Sequence, residues 1–185
     1  MNIEEILKEI IDKLEKHEIA YMITGSFASN LHGIPRATFD IDIVIEPSIE
    51  KIEKFLDDVK DKFYLELEMV REAVKRKSMF NIIHYETAFK IDFIIKKEGE
   101  YFEKEFERRK VYNFAGKPSF FATPEDTILS KLLWSKKGGS EKQFKDALGV
   151  AKVQKENLDF EYLKKQSEKL RIKDLFEKLL NELEK

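Results

Sequence analysis

The sequence has no cysteine, four prolines, seven glycines and one tryptophan. Without cysteine the chain can form no disulfide, no thiolate nucleophile and no zinc–thiolate site. It also lacks an apolar run of membrane-spanning length and a signal-peptide pattern, so the expectation is a cytoplasmic protein with no membrane partner. An excess of one charge is missing too. The 34 Lys+Arg and 36 Asp+Glu leave a net −2, and no global basic field advertises nucleic acid binding. His17, His32 and His84 share no metal-ligand spacing and read as structural. What is abundant is charge (38%) and apolar residues (42%), and 185 residues suffice for a real core in one domain, or in a domain with a helical appendage.

The most informative stretch runs from Ile23 to Glu46, ITGSFASNLHGIPRATFDIDIVIE. Phe39, Ile41, Ile43 and Ile45 alternate with Asp40, Asp42, Val44 and Glu46, the period of a β-strand with apolar residues on one face. Asp40 and Asp42 then project side by side, although aspartate is a poor strand former and like charges repel. A hard divalent cation such as Mg²⁺ would neutralise them, with water and phosphate completing its shell. The alternative is a solvated pair on an edge strand.

Upstream, with thirteen residues between Ser26 and Asp40, Gly25-Ser26 ends a strand. Glycine tolerates positive φ at such a turn, and serine is a good N-cap for a helix over Phe27–Leu31. A helix start offers free N–H groups to phosphate. Arg36 and Thr38 lie on the approach to the acidic strand, where a guanidinium could hold phosphate or fix the loop by a salt bridge.

Elsewhere the apolar spacing predicts a helix over residues 2–17 and a strand over 19–24, then a helix over about 49–60. Residues 63–77 stay open between strand and helix, with Arg71–Lys77 read as a basic connector. Strands follow at 79–85 and 88–95, a charged helix at 101–110 and a hairpin at 111–122 turning at Gly116-Lys117. Asp92 is a lone acid in an apolar strand, sharing a face with Lys90; the alternative to a functional role is an acid bonded to Lys or Arg for structural reasons. Thr123-Pro124-Glu125-Asp126 is a helix-start signal. Four helices are predicted beyond it, to about Lys137 and at about 141–154, 160–170 and 173–183.

Gly25-Ser26, Arg36-x-Thr38 and Asp40-Ile41-Asp42 together resemble the first motif of the DNA polymerase β-type nucleotidyltransferase superfamily. Within it they are most similar to AbiEii/AbiGii-type toxin nucleotidyltransferases. The resemblance covers most of the first 150 residues. It implies an α/β (α+β) fold, a mixed sheet flanked by helices, with a catalytic core over 1–122 and a C-terminal helical cap over 123–185. It implies that Asp92 is the third carboxylate beside Asp40 and Asp42, and that these three hold Mg²⁺, or Mn²⁺, in a two-metal transferase. Gly25, Ser26, Arg36, Thr38 and a helix lysine, Lys131, would bind the NTP, ATP among them. Lys131 sits among Ile128, Leu129, Leu132 and Leu133, where a charge is costly without an anionic partner, although helix lysines commonly snorkel to solvent. Lys145-Asp146 resembles a further Lys/Arg-Asp pattern, but the acid usual beyond it is replaced by Ala147-Leu148-Gly149. The implied partners are an RNA acceptor, the tRNA 3′ end, and a cognate antitoxin. The alternatives are a nucleotidyltransferase acting on a small molecule or protein, and a catalytically silent nucleotide-binding module.

Overall fold

The structure is a computed structural model and describes residues 2–185. The chain opens with α1 (Ile3–Lys16), β1 (Ala20–Thr24), α2 (Gly25–His32), β2 (Asp40–Glu46) and α3 (Ile49–Val59). It continues through β3 (Phe63–Tyr64), α4 (Leu67–Arg76), β4 (Met79–His84), β5 (Lys90–Ile95), α5 (Glu100–Glu107), β6 (Lys110–Phe114) and β7 (Lys117–Phe121). The remaining helices are α6 (Pro124–Gly138), α7 (Glu141–Gln154), α8 (Phe160–Lys169) and α9 (Lys173–Leu183). Two compact units result, one of residues 1–24 and 38–121, the other of residues 25–37 and 122–185.

The first unit is built on a seven-stranded mixed sheet in the order β3-β4-β5-β2-β1-β7-β6. β2 is central: it pairs antiparallel with β1 and parallel with β5. Its alternation works as the sequence dictates, for Ile41, Ile43 and Ile45 are fully buried while the intervening positions are not. Ile91, Phe93 and Ile95 of β5 are likewise buried, and the Phe55 ring of α3 meets Phe93 edge-on at 5.5 Å. α1 buries Ile6, Leu7, Ile10, Ile11 and Leu14, and its first turn is closed by a reciprocal capping box between Asn2 and Glu5.

The expectation for residues 71–77 needs correction. They do not form a connector: Arg71–Arg76 belongs to α4, which ends at Lys77 in the left-handed region, φ 52°. Only Val70 and Ala73, three apart, are buried, so a narrow stripe is enough to seat a helix whose other faces are charged.

The second unit is helical. Thr123 accepts the Asp126 amide at 3.2 Å and starts α6, with Pro124 in its first turn. α6 is buried on several sides, including Ile128, Leu129, Lys131 and Leu132. α2 and α7 approach closely at Gly33, where a Cβ would lie 2.7 Å from the Val150 amide nitrogen.

Candidate functional site

The acidic face belongs to the first unit, and strand register builds it. Asp42 lies opposite Asp92 across the parallel β2–β5 pair, and Asp40 lies opposite Lys90. Thr24 is the antiparallel partner of Asp42 on the other side of β2. Period-two alternation puts Asp40, Asp42, Lys90 and Asp92 on one face. The Thr38 hydroxyl donates to the Asp40 carbonyl at 3.3 Å and ties the approach to the strand start.

Exposure grades across this face. The Asp40 side chain is 59% exposed and that of Asp92 only 8%. Lys90 bridges them, its Nζ 2.7 Å from Asp92 Oδ2 and 3.8 Å from Asp40 Oδ1. The hydrogen bond to Asp92 raises the Lys90 pKa, with smaller contributions from Asp40 and Asp42. Asp92 Oδ1, in contrast, is buried with no hydrogen-bond partner. Such an orphaned carboxylate oxygen is costly in a folded protein.

Among the described residues, no three His, Cys, Asp or Glu side chains are gathered as a preformed metal cage. Three carboxylates converging without a cation would repel one another, and here a lysine amine partly fills that role. The donor set nevertheless fits a hard divalent cation: every candidate ligand is a carboxylate oxygen, and one of them is buried and unsatisfied.

The second unit holds the other candidate residues. Gly25 has φ 61°, the left-handed conformation expected of it, and opens α2. Ser26 was expected to cap a helix from Phe27. Instead the helix starts at Gly25, Ser26 lies in its first turn, and its Oγ accepts from Arg36 Nη2 at 2.9 Å. Arg36 also makes a bidentate pair with Asp146, Nε to Oδ1 at 2.8 Å and Nη2 to Oδ2 at 2.7 Å. Lys131 Nζ donates to the same Oδ2 at 2.9 Å, and its side chain is only 4% exposed. Burial pushes the Asp146 carboxyl up, but the hydrogen bonds from Arg36 and Lys131 outweigh it and hold the carboxyl below the usual range.

Sequence reasoning undervalued three of these residues. Asp146 is the anion that the apolar surroundings of Lys131 required, and that requirement was the signal for it. Asn30 clamps the Arg36 backbone in both directions, its Nδ2 donating to the carbonyl at 2.7 Å and its Oδ1 accepting the amide at 3.1 Å. Lys90 was visible only as a neighbour of Asp92 on one face. His32 Nε2 donates to the Ala122 carbonyl at 2.8 Å, the position of a packing residue.

No protein-family model matches the chain, and no curated protein matches it. Solved structures do. The crystal structure of ANT(2″)-Ia in complex with adenylyl-2″-tobramycin matches with a TM-score of 0.61 at 14% identity, covering 91% of this chain and 96% of that one. The lincosamide antibiotic adenylyltransferase LnuA, bound to lincomycin, matches with a TM-score of 0.56 at 16% identity, over 81% of this chain and 97% of its own. An antigenic nucleotidyltransferase-like protein from Paracoccidioides brasiliensis matches with a TM-score of 0.51 at 18% identity, over 80% and 74%. The fold of this chain is therefore that of the nucleotidyltransferases, a mixed sheet flanked by helices.

Proposed function

We propose that this protein is a nucleotidyltransferase that moves a nucleoside monophosphate from an NTP to an acceptor hydroxyl. The observation that carries the reading is the register pairing of Asp42 with the buried, half-unsatisfied Asp92, with Asp40 on the same face. Asp40, Asp42 and Asp92 would hold Mg²⁺, or Mn²⁺, at two positions, which when bound supplies Lewis-acid stabilisation of charge at the α-phosphate. Gly25 and Ser26, at the start of α2, would offer backbone N–H groups to the triphosphate. Arg36 and Lys131 would contribute positive charge to it, and Thr38 fixes the approach to Asp40. The acceptor oxygen bonds to the α-phosphorus, the bond to the β-phosphate oxygen breaks and pyrophosphate leaves. The acceptor proton passes to the Asp92 carboxylate or to a base beside it.

Two acceptor classes follow from different observations. A small-molecule hydroxyl is supported by the two antibiotic-bound neighbours and by the lack of net positive charge. The tRNA 3′ end, with an antitoxin as the protein partner, is supported by the AbiEii-like motif.

The test uses NTPs labelled at the α- or γ-phosphate, incubated with total RNA, with a metabolite extract or with protein. The α-label should enter an acceptor, the γ-label should not, and Asp42→Asn should abolish transfer while remaining folded. The labelled fraction identifies the acceptor class. No transfer with any NTP by folded protein that binds Mn²⁺ would put a silent nucleotide-binding module in its place.

A further inference from the structure

Lys90 has a place in this site that the acid trio alone does not explain. It opens β5, directly opposite Asp40 and two residues before Asp92 on the same face. Its amine stands 2.7 Å from one oxygen of the buried acid and 3.8 Å from an oxygen of the exposed one. Its side chain is 39% exposed, so the flexible four-carbon stem has solvent to withdraw into. The bridge covers Asp92 Oδ2 and leaves Oδ1 without a partner.

We propose that Lys90 is the resident counter-cation of the acidic face. It neutralises Asp92 and Asp40 while no metal is bound, and a divalent cation held by the same carboxylates repels it toward solvent. Lys90 thereby sets the metal concentration at which the site loads. The inference rests on the metal-binding reading above, because it assigns Lys90 a role in competition with that metal.

The physical argument is one of balance. A buried carboxylate with no partner raises the energy of the empty site, so a neutral residue at 90 would leave Asp92 poorly satisfied but open. A lysine lowers the energy of the empty site without matching the charge of a divalent ion. A metal taking Asp92 Oδ1 then meets an ammonium already held on Oδ2 of the same carboxylate, and affinity falls accordingly.

The experiment titrates Mn²⁺ into wild-type protein and Lys90→Met, reading free Mn²⁺ by electron paramagnetic resonance. Lys90→Met should bind Mn²⁺ about tenfold more tightly, the effect of removing one competing, partly screened charge. In EDTA the same variant should melt below wild type, and Mn²⁺ should raise its melting temperature more than that of wild type. Unmodified protein supplies an independent readout should Lys90→Met not fold. Acetylation of Lys90, followed by mass spectrometry, should run several-fold faster with saturating Mg²⁺ than in EDTA, because the amine is released. Equal or weaker Mn²⁺ binding by Lys90→Met, or acetylation indifferent to Mg²⁺ in protein that binds Mn²⁺, would overturn the proposal while leaving the metal site standing. Failure of both folded proteins to bind Mn²⁺ would remove the metal reading and this one together.

Discussion

Replacing Asp146 with alanine removes a carboxylate that Arg36 and Lys131 both grip, at 2.7–2.9 Å. The Lys131 side chain is 4% exposed, so its charge loses this anion where water cannot replace it. Arg36, at 26%, recovers part of its loss by hydration. Breaking a buried pair from one side costs about 3–5 kcal/mol, and the exposure of Arg36 places this case near ~3 kcal/mol. For a chain of this size each kcal/mol moves the melting temperature about 2–4 °C, so Asp146→Ala should melt roughly 6–12 °C below wild type. Lys131→Met in the same protein should recover part of the loss, because the residue most harmed is then apolar, and a double-mutant cycle should give a coupling of about 1–3 kcal/mol. The effect should depend on pH with a definite sign. The Asp146 carboxyl is held below its ordinary value, so its contribution is complete above about pH 4 and is lost as pH falls through the folded-state value. The gap between wild type and Asp146→Ala should therefore narrow below about pH 4. A melting temperature within about 2 °C of wild type at pH 7, or a strictly additive cycle, would refute the reading of Asp146 as the anion that the buried Lys131 requires.

Three other outcomes are expected. Gly33→Ala would set a Cβ 2.7 Å from the Val150 amide nitrogen and 2.9 Å from the Ser29 carbonyl, so it should cost about 1–3 kcal/mol in denaturant titration; a neutral result would mean that α2 and α7 part easily. Burial holds the His32 imidazole below its ordinary value, against the opposing influence of the Ala122 carbonyl and Glu125. Stability from this residue is then complete above about pH 6.5 and is lost as pH falls through the folded value, so His32→Asn should flatten the wild-type decline between about pH 7 and 5 in thermal melts. Gly25→Val places a β-branched residue at φ 61°, costing about 1–3 kcal/mol. If the start of α2 holds the triphosphate, binding of a non-hydrolysable ATP analogue should weaken by more than the loss of folded protein explains, and unchanged affinity per folded molecule would make the turn purely structural.

The sequence by itself determined the local elements wherever periodicity was long or punctuation was strong. α1, β2 and α6 follow from an apolar stripe, a strict alternation and a Thr-Pro-Glu-Asp start, because each depends only on neighbours in the chain. The face shared by Asp40 and Asp42 was legible for the same reason. α4 was not, since two buried residues among many charges make a weak stripe that only packing turns into a helix. Tertiary structure alone decided the pairings: Asp42 opposite Asp92, Lys90 between Asp92 and Asp40, and Asp146 between Arg36 and Lys131. These contacts join residues up to 110 positions apart. No local propensity records such distances, because strand register and helix packing are set by burying apolar faces, and the charged side chains find their partners only after those faces have met.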